Sequence, residues 1–479
     1  MLASSPSTVI RLTSHRGWEH TVGMKALDPD DIAGAMMHPR HQVMQQELVP
    51  LVEQVRSCSG GRDGYDAQAE ILTRLLAVEE DRNAFSRAVK RMAKAGKPQP
   101  GAPEPPSGRD PRDMATWVFE RDLCERLGRQ LRSLGDALAW RAFGCNRRIL
   151  LAWCRNMPSG VMAGKEGLVA ERAFVEEQWR DHGRFVLLHD LTNCLRIGDA
   201  TEWDPGRGGP RIVEIKTNRR RKDPRQQRRI DAAHAAVYED GNLPGDHHDE
   251  RLHDLGIPLR THLDLLRTAT ERATTDGVFA IKVPGSRALC VVDFYGVNAQ
   301  GWTSEQYGAR LETAWQGAKR RAGIDARPEL NIHATSLNSV SRDPLRVPWA
   351  VYPLHPVICA RLIGDMAIFT VETSGPRLAE DLTGRGVPAT WVRAAELGGM
   401  LRPGEIVMEI DNSKSFSAGG GLTLELTRKL QTQRSELDRY LIELLHQDSW
   451  ATGIRHLLDA PDTAQRPWPV FQDEHLIWQ

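Results

Sequence analysis

The sequence has little lysine, no net charge and no long apolar run. Its 63 basic residues comprise 11 lysines and 52 arginines, and 63 acidic residues bring the formal charge to zero. No overall attraction to a polyanion follows, so nucleic-acid binding would have to come from local clusters of basic residues. The sequence contains neither 18 consecutive apolar residues nor the apolar core of a signal peptide. We therefore expect a cytoplasmic protein that does not span a membrane.

Cysteine is scarce and scattered. The seven cysteines form no CxxC pair and no other close spacing. Structural zinc sites and disulfide frameworks both need grouped cysteines, so this distribution argues against either. It is typical of a protein in a reducing compartment.

The length of 479 residues predicts two or three domains rather than a single core. Helical periodicity dominates the first third, a proline- and glycine-rich segment interrupts it, and alternating helix and strand patterns follow. The predicted divisions are an all-helical N-terminal domain (1–95), a linker (96–112), a helical connector (113–154), an α/β core (155–322) and a C-terminal α/β domain of unknown role (323–479).

The C-terminal region carries its own predicted elements. MAIFTVET and EIVMEI have the apolar, β-branched composition of strands. From Leu422 to about Leu458 we predict a long helical tail.

The stretch RIVEIKT places two charges in an apolar strand pattern. Residues two apart on a strand share a face, so Glu214 and Lys216 should lie on the same side as Ile212. Burying unpaired charge is costly, and two charges there need partners, a metal or a cleft. The acid-x-Lys triplet alone carries little information, because about one is expected by chance with so few lysines, and one occurs. Its context has to supply the argument.

A turn upstream supplies that context. The connector DPGRGGP, with three glycines and two prolines, predicts a hairpin between LRIGDATEW and RIVEIKT. A turn centred near Pro205 to Arg207 gives pairing sums near 413 and sets Asp199 across from Glu214 or its neighbour. Directly opposed residues share a face, so the two carboxylates should converge. A slip of one residue would separate them, and the sequence alone does not fix the register.

A third carboxylate comes from the helix predicted in GKEGLVAERAFVEEQWRDHG. At 100° per residue Glu171 lies with Leu168 and Val175 on the apolar side, whereas Glu166 and Glu177 fall on the polar side. Glu171 is therefore the inward carboxylate.

Three carboxylates and a lysine suit the hydrolysis of phosphodiesters. Carboxylate oxygens are the ligands that Mg²⁺ prefers, and Mn²⁺ is a plausible substitute. The metal would be bound by Asp199, Glu214 and Glu171, would polarise the phosphate and would lower the pKa of a bound water. Lys216 would orient or deprotonate that water, or stabilise charge in the transition state. An ordinary ion pair at a strand edge remains the alternative.

The stretches GLVAERAFVEEQWRDHG, IGDATEW and IVEIKT together resemble the core of the PD-(D/E)XK nuclease superfamily. The GxxxE helix followed by D and ExK is similar to Holliday junction resolvases and Mrr-type restriction endonucleases. The resemblance covers about residues 160–300, with glycine rather than proline before Asp199. It implies an α/β fold with a restriction-endonuclease-like core, a mixed sheet flanked by helices. It also implies catalytic roles for Glu171, Asp199, Glu214 and Lys216.

Basic residues follow the proposed catalytic strand closely. From Lys216 to Arg229, eight of fourteen residues are basic and one is acidic. They run into a helix predicted to begin at Pro224 after an Asp223 cap, so they could contact backbone phosphates without reading sequence. A solvated surface is the alternative. The predicted nucleic-acid contacts are Arg219, Arg220, Arg221, Lys222, Arg225, Gln226, Arg228 and Arg229.

These features together predict a metal-dependent nuclease that acts on DNA more readily than on RNA. A restriction or anti-phage role suits a nuclease with large accessory domains, by analogy only. A homo-oligomer would place two sites for a double-strand break. The alternative is a protein that kept the nuclease fold but lost activity and acts as a nucleic-acid-binding or assembly scaffold.

Overall fold

The structure is a computed structural model of the chain. It describes residues 34–96, 104–154, 160–204, 209–215, 224–244, 250–324, 326–327, 330–337, 346–392, 407–418, 422–431, 434–459 and 466–472. Within these residues, no helix is both long and apolar enough to cross a membrane.

The chain alternates helices and strands after a helical first third. The elements up to the middle of the chain are, in order, α1 (Pro39–Ser57), α2 (Gly61–Ala95), α3 (Met114–Ala142), α4 (Arg147–Trp153), α5 (Leu168–His182), β1 (Phe185–Leu188), β2 (Ala200–Asp204), β3 (Gly209–Val213), α6 (Pro224–Tyr238) and β4 (Glu250–Pro258).

The second half is richer in strands. Its elements are α7 (Leu263–Asp276), β5 (Val278–Val283), β6 (Arg287–Asp293), α8 (Phe294–Ala299), α9 (Ser304–Ala322), β7 (Asn331–Thr335), α10 (Pro356–Ile363), β8 (Ala367–Ser374), α11 (Gly375–Gly384), β9 (Ala389–Val392), β10 (Val407–Ala418), β11 (Leu422–Gln431), α12 (Arg434–Ile442), α13 (Gln447–Asp459) and β12 (Arg466–Gln472).

These elements group into two compact units. The described parts of the first, which we call the hairpin unit, lie within 34–254, 346–365 and 466–472. Those of the second, the sheet unit, lie within 255–337 and 366–459.

In the hairpin unit, α2 and α3 pack along their length because each has an apolar face at helical spacing. Phe85 and Met92 of α2 are buried against Trp117 and Cys124 of α3. Strands β1, β2 and β3 form a three-stranded sheet with β2 in the centre. The long helices α2 and α3 and the sheet of β1, β2 and β3 therefore belong to the same unit.

The unit boundaries differ from the predicted ones. The chain divides between residues 254 and 255 and on either side of 338–365, whereas the predicted segments begin at 96, 113, 155 and 323. The apolar faces of α2 and α3 are buried against each other, so the proline-rich segment between them does not separate their cores.

The sheet unit is built on a four-stranded sheet in the order β5-β6-β8-β7. The strand β6 is buried throughout, and α9 covers it through Ala318 and Ala322. Strands β9, β10 and β11 form a second, three-stranded sheet.

The predicted helical tail is wrong over its first ten residues. Leu422 to Gln431 form β11, which pairs antiparallel with β10 from Ala418↔Leu422 to Glu409↔Gln431. The apolar residues of LTLELTRKLQ recur at every second position at first, which fits a strand as well as a helix. Helices α12 and α13 occupy the remainder of the predicted tail.

The α/β class is confirmed, but the predicted mixed sheet is not seen among the described residues. In every sheet whose register is described, neighbouring strands run antiparallel. The strands β1, β2 and β3 are joined by short connections, which favour antiparallel pairing.

Candidate active site

The strands β2 and β3 pair in the predicted register. Ala200 lies opposite Val213 and Glu202 opposite Arg211, so paired residue numbers sum to 413 as expected. Beyond the last pair, the Asp199 backbone N–H donates to the Val213 carbonyl at 3.0 Å. The Asp199 carboxylate in turn accepts from the Ile215 N–H at 2.8 Å. Asp199 therefore meets the chain on both sides of Glu214.

Gly198 allows this close approach. Its φ of +75° is a left-handed conformation that favours glycine. A Cβ at this position would lie 2.3 Å from Ile212 Cγ2 and 3.1 Å from the Val213 carbonyl oxygen. The glycine before Asp199 is thus required both by its backbone angle and by the packing of β3.

The strand β3 is an edge strand and is less buried than its composition suggested. Ile212 is buried, but Val213, Glu214 and Ile215 are half-buried and Arg211 is exposed. The predicted buried strand is therefore wrong in this respect, because among the described strands β3 has β2 as its single neighbour. Glu214 consequently needs no fully buried partner.

A cleft of about 360 Å³ runs between β3 and α6. Glu214 lines it together with Gln227, Asp231 and His234 of α6. The His234 ring accepts a hydrogen bond from the Ile212 N–H at 3.1 Å, and burial lowers its pKa. Glu214 is half-buried in the wall of this cleft, and its Oε2 is buried.

Glu171 faces inward, as predicted. It is 4% exposed, in the first turn of α5, and Val175 and Gln178 on the same face are also buried. Gly167 precedes the helix, and a Cβ there would lie 3.3 Å from Glu171 Oε1.

Lys165 is the residue that the sequence analysis missed. Its Nζ donates to Glu171 Oε1 at 2.6 Å and to Asp190 Oδ2 at 2.8 Å. The two carboxylates hold the pKa of this lysine above its usual value. The rarity of lysine in the chain was the one available signal, because Lys165 lies in the irregular segment before α5, whose course periodicity cannot predict.

Two residues of the long helices hold the segment that carries Lys165. The Glu79 carboxylate accepts from the Met162 and Ala163 N–H groups at 2.6 and 2.8 Å. Arg132 donates to the Gly160 carbonyl at 2.8 Å and also contacts Glu79. The position of Lys165 is therefore fixed by the helical part of the same unit.

Burial raises the pKa of Asp199 to about 6. The backbone N–H of Ile215 acts in the opposite direction, and the negative charges of Glu214 and Glu171 add to the increase, while Lys165 reduces it. The charges of Glu214, Glu171 and Lys165 therefore all influence the pKa of Asp199. The ionised form of Asp199 is therefore unfavourable unless a cation lies nearby.

The predicted basic contacts fall into two sets. Arg225, Arg228 and Arg229 are exposed on the first half of α6, and Gln226 is half-buried. Arg228 Nε donates to the Pro224 carbonyl at 3.2 Å. The other predicted contacts lie outside the described residues: Arg219, Arg220, Arg221 and Lys222. The predicted catalytic Lys216 lies outside them as well.

The described residues contain no group of three or more His, Cys, Asp or Glu side chains arranged to hold a metal ion. Of the three predicted metal ligands, Glu171 forms an ion pair through its Oε1 with the Lys165 ammonium. Asp199 and Glu214 remain as a carboxylate pair on the hairpin.

Comparisons with protein-family models, with curated proteins and with solved structures found no match for this chain. Function must therefore be inferred from the site itself.

Proposed function

We propose that this chain is a metal-dependent nuclease with a PD-(D/E)XK-like core, and that its substrate is DNA. The observation that carries the proposal is the β2–β3 register, which brings Asp199 to Glu214. The order α5, β1, β2, β3, α6 further supports it, since Glu171 enters from the helix before the hairpin. The PD-(D/E)XK superfamily, which the sequence resembles, has its helix carboxylate, its aspartate and its ExK pair in the same order along the chain.

The donor chemistry fits Mg²⁺ or Mn²⁺. The hairpin offers only carboxylate oxygens, and Mg²⁺ is commonly bound through one or two carboxylates while it keeps several waters. Asp199, with its pKa raised to about 6, would gain most from a neighbouring cation. Asp199 and Glu214 would therefore hold the ion, and Glu171 would join them once released from Lys165.

The bound ion would polarise a phosphate and lower the pKa of a water. The chain's own residues would do the rest. Ile215 N–H holds one Asp199 oxygen and so orients the carboxylate. Lys216 follows directly after Ile215 and would stabilise negative charge on the phosphate or orient the attacking water.

The exposed arginines of α6 would contact the nucleic-acid backbone. Arg225, Arg228 and Arg229 lie on the helix that forms one wall of the cleft beside Glu214. Phosphate contacts of this kind position a duplex without reading its sequence. Binding should therefore weaken steeply as salt increases.

The alternative function is a catalytically inactive scaffold with the same fold. The engagement of Glu171 by Lys165 favours it, because an internal ammonium already neutralises that carboxylate. Such a protein would bind nucleic acid without cleaving it.

Cleavage assays separate the two functions. Purified full-length protein is incubated with plasmid, linear duplex, single-stranded DNA and RNA in Mg²⁺, Mn²⁺ or EDTA. We expect DNA cleavage with either metal and a loss of at least 100-fold in Asp199→Asn, Glu214→Gln and Lys216→Met, since each removes a group required in the transition state. Glu202→Gln is the matched control, because Glu202 lies on the same hairpin but is paired with Arg184 at 3.0 Å.

Cleavage that survives EDTA, or that survives Asp199→Asn and Glu214→Gln, would refute the metal-dependent mechanism. Salt-sensitive binding without cleavage in any metal would establish the scaffold function instead.

A further inference from the structure

A second cluster of polar groups lies in the sheet unit, where the turn between β5 and β6 meets the start of α13. Gln447 is the first residue of α13 and is 2% exposed. Its amide fills the space beside Gly285, since a Cβ there would lie 1.4 Å from Gln447 Nε2. Gly285 also has a φ of +78°, so the turn is shaped to admit this side chain.

Arg287 is the charged centre of the cluster and is completely buried. Its Nε donates to the Pro284 carbonyl at 2.9 Å and its Nη1 to the Tyr440 carbonyl at 3.2 Å. The guanidinium lies 4.5 Å from the centroid of the Tyr440 ring. Its Nη2 has no hydrogen-bond acceptor among the described residues.

No carboxylate within the described part of the chain forms an ion pair with Arg287. Asp381, whose charge acts on Arg287, lies 3.9 Å from Arg385, which also binds Asp448 at 2.8 Å. A buried guanidinium without an anionic partner is costly, and burial accordingly lowers the pKa of Arg287. The cluster therefore has one positive charge in excess of its direct partners.

Three further donors are buried beside this charge. Tyr440 Oη, Gln447 Nε2 and His262 Nε2 make no hydrogen bond of normal geometry to the described residues. Hydrogen bonding by the Gln447 side chain nevertheless affects the pKa values of both His262 and Tyr440, so these three groups interact with one another. Buried polar groups in proteins are nearly always hydrogen-bonded, so Arg287 Nη2, which has no acceptor among the described residues, indicates a missing acceptor.

The start of α13 adds to the positive potential. The helix dipole favours negative charge there, and the first turn already holds the carboxylate of Asp448, whose backbone N–H donates to His446 Nδ1 at 3.4 Å. His446 precedes the helix, and its ring lies 4.8 Å from that of His262. Both histidines are half-buried, whereas Arg287 and Tyr440 are fully buried, so the histidine pair forms the solvent side of the cluster.

We propose that this cluster is a binding site for a phosphate group, held by Arg287, Tyr440, Gln447 and His262 at the start of α13. Polar groups from separate elements surround the Arg287 guanidinium, and its positive charge without a direct anionic partner among the described residues favours an anion over water or a neutral ligand. The inference does not depend on nuclease activity.

Thermal unfolding and calorimetry of the full-length protein test this inference. Sodium phosphate is compared with sodium chloride at equal ionic strength. We expect saturable binding and a rise in Tm of at least about 5 °C at a hundredfold excess over Kd. Tyr440→Phe removes only the hydroxyl and should weaken binding at least tenfold without lowering the Tm in chloride. Tyr307→Phe, another buried tyrosine of the same unit, is the matched control.

Gln447→Glu gives a second, independent result. A carboxylate tethered at this position should satisfy Arg287, raise the Tm in chloride and abolish the response to phosphate. The inference is overturned by an equal Tm in phosphate and chloride for the unaltered protein, by an undiminished response in Tyr440→Phe, or by a lower Tm in Gln447→Glu.

The source of the phosphate is assigned by comparing inorganic phosphate with a dinucleotide that does or does not carry a 5′-phosphate. Tighter binding of the phosphorylated dinucleotide supports a site for nucleic-acid ends, and equal or weaker binding supports a site for free phosphate.

Discussion

Replacing Asp199 by asparagine should stabilise the metal-free protein at neutral pH. The pKa of Asp199 is raised from 3.8 to about 6, mainly by burial. The folded state therefore binds the proton more tightly than the unfolded state does. The stability that protonated Asp199 contributes is fully present below about pH 4 and is lost as the pH rises through about 6. Above that pH, the ionised carboxylate is less unfavourable in the unfolded chain than in the folded one.

The size of the effect follows from this difference of about two pKa units. At about 1.4 kcal/mol for each unit, the upper limit is about 3 kcal/mol, and partial exposure of the side chain reduces it to about 2 kcal/mol. Asparagine keeps an oxygen that can accept the hydrogen bond from the Ile215 N–H, which is 2.8 Å from the Asp199 carboxylate in the unaltered protein. The substitution thus removes the charge and leaves the hydrogen bond.

Urea unfolding in EDTA at several values of pH measures the effect. The gain in unfolding free energy for Asp199→Asn should be near zero at pH 4 and about 2 kcal/mol above pH 7. Asp231→Asn, an exposed residue of α6, should change stability by less than about 0.5 kcal/mol at any pH. A gain that is equal at pH 4 and pH 8, or a loss at pH 8, would refute the assigned environment of Asp199.

Two other substitutions test packing in the hairpin unit. Gly198→Ala should destabilise by on the order of 2–4 kcal/mol in urea unfolding, since its Cβ would lie 2.3 Å from Ile212 at a φ of +75°. Gly301→Ala, with a φ of +62° but open space around it, should cost only about 1–2 kcal/mol, and equal costs would contradict the packing argument. Arg126→Met leaves Asp365 buried without its partner at 2.9 Å and should cost about 3–5 kcal/mol. Arg62→Met, which breaks an exposed pair, should cost less than about 1 kcal/mol, and a similar loss in both would show that burial does not set the cost.

The Asp199–Glu214 register could be predicted because the turn chemistry and the strand periodicity agreed. DPGRGGP indicated the centre of the hairpin, and a turn centred there predicts pairing sums near 413, which β2 and β3 have. The inward face of α5 followed in the same way from its 3.6-residue repeat. Both predictions depended on residues close in sequence.

The predictions that failed depended on contacts distant in sequence. Leu422 to Gln431 carry a pattern that fits helix or strand, and pairing with β10 decides between them. The packing of α2 on α3 joins segments that the sequence separates by a proline-rich stretch. Lys165 meets Asp190 only because Glu79 and Arg132 hold its segment against the long helices.

Lys165 also links the stability of the hairpin to the charge at Asp199. Removing its ammonium in Lys165→Met leaves the buried Glu171 without its partner at 2.6 Å and exposes Asp199 to two uncompensated carboxylates. We expect a loss of about 1–3 kcal/mol at pH 8, reduced from the value for a fully buried pair because Lys165 is 36% exposed. Lys165→Arg should retain most of the stability.

The coupling between the two residues distinguishes a shared site from two separate ones. Lys165 lowers the pKa of Asp199, so its loss should raise that pKa further. Asp199→Asn should then stabilise Lys165→Met at pH 8 by about 0.5–1 kcal/mol more than it stabilises the unaltered protein. Additive effects in urea unfolding of the double variant would show that Lys165 and Asp199 do not share an electrostatic environment. In that case Lys165 would only stabilise the start of α5 through its ion pair with Glu171.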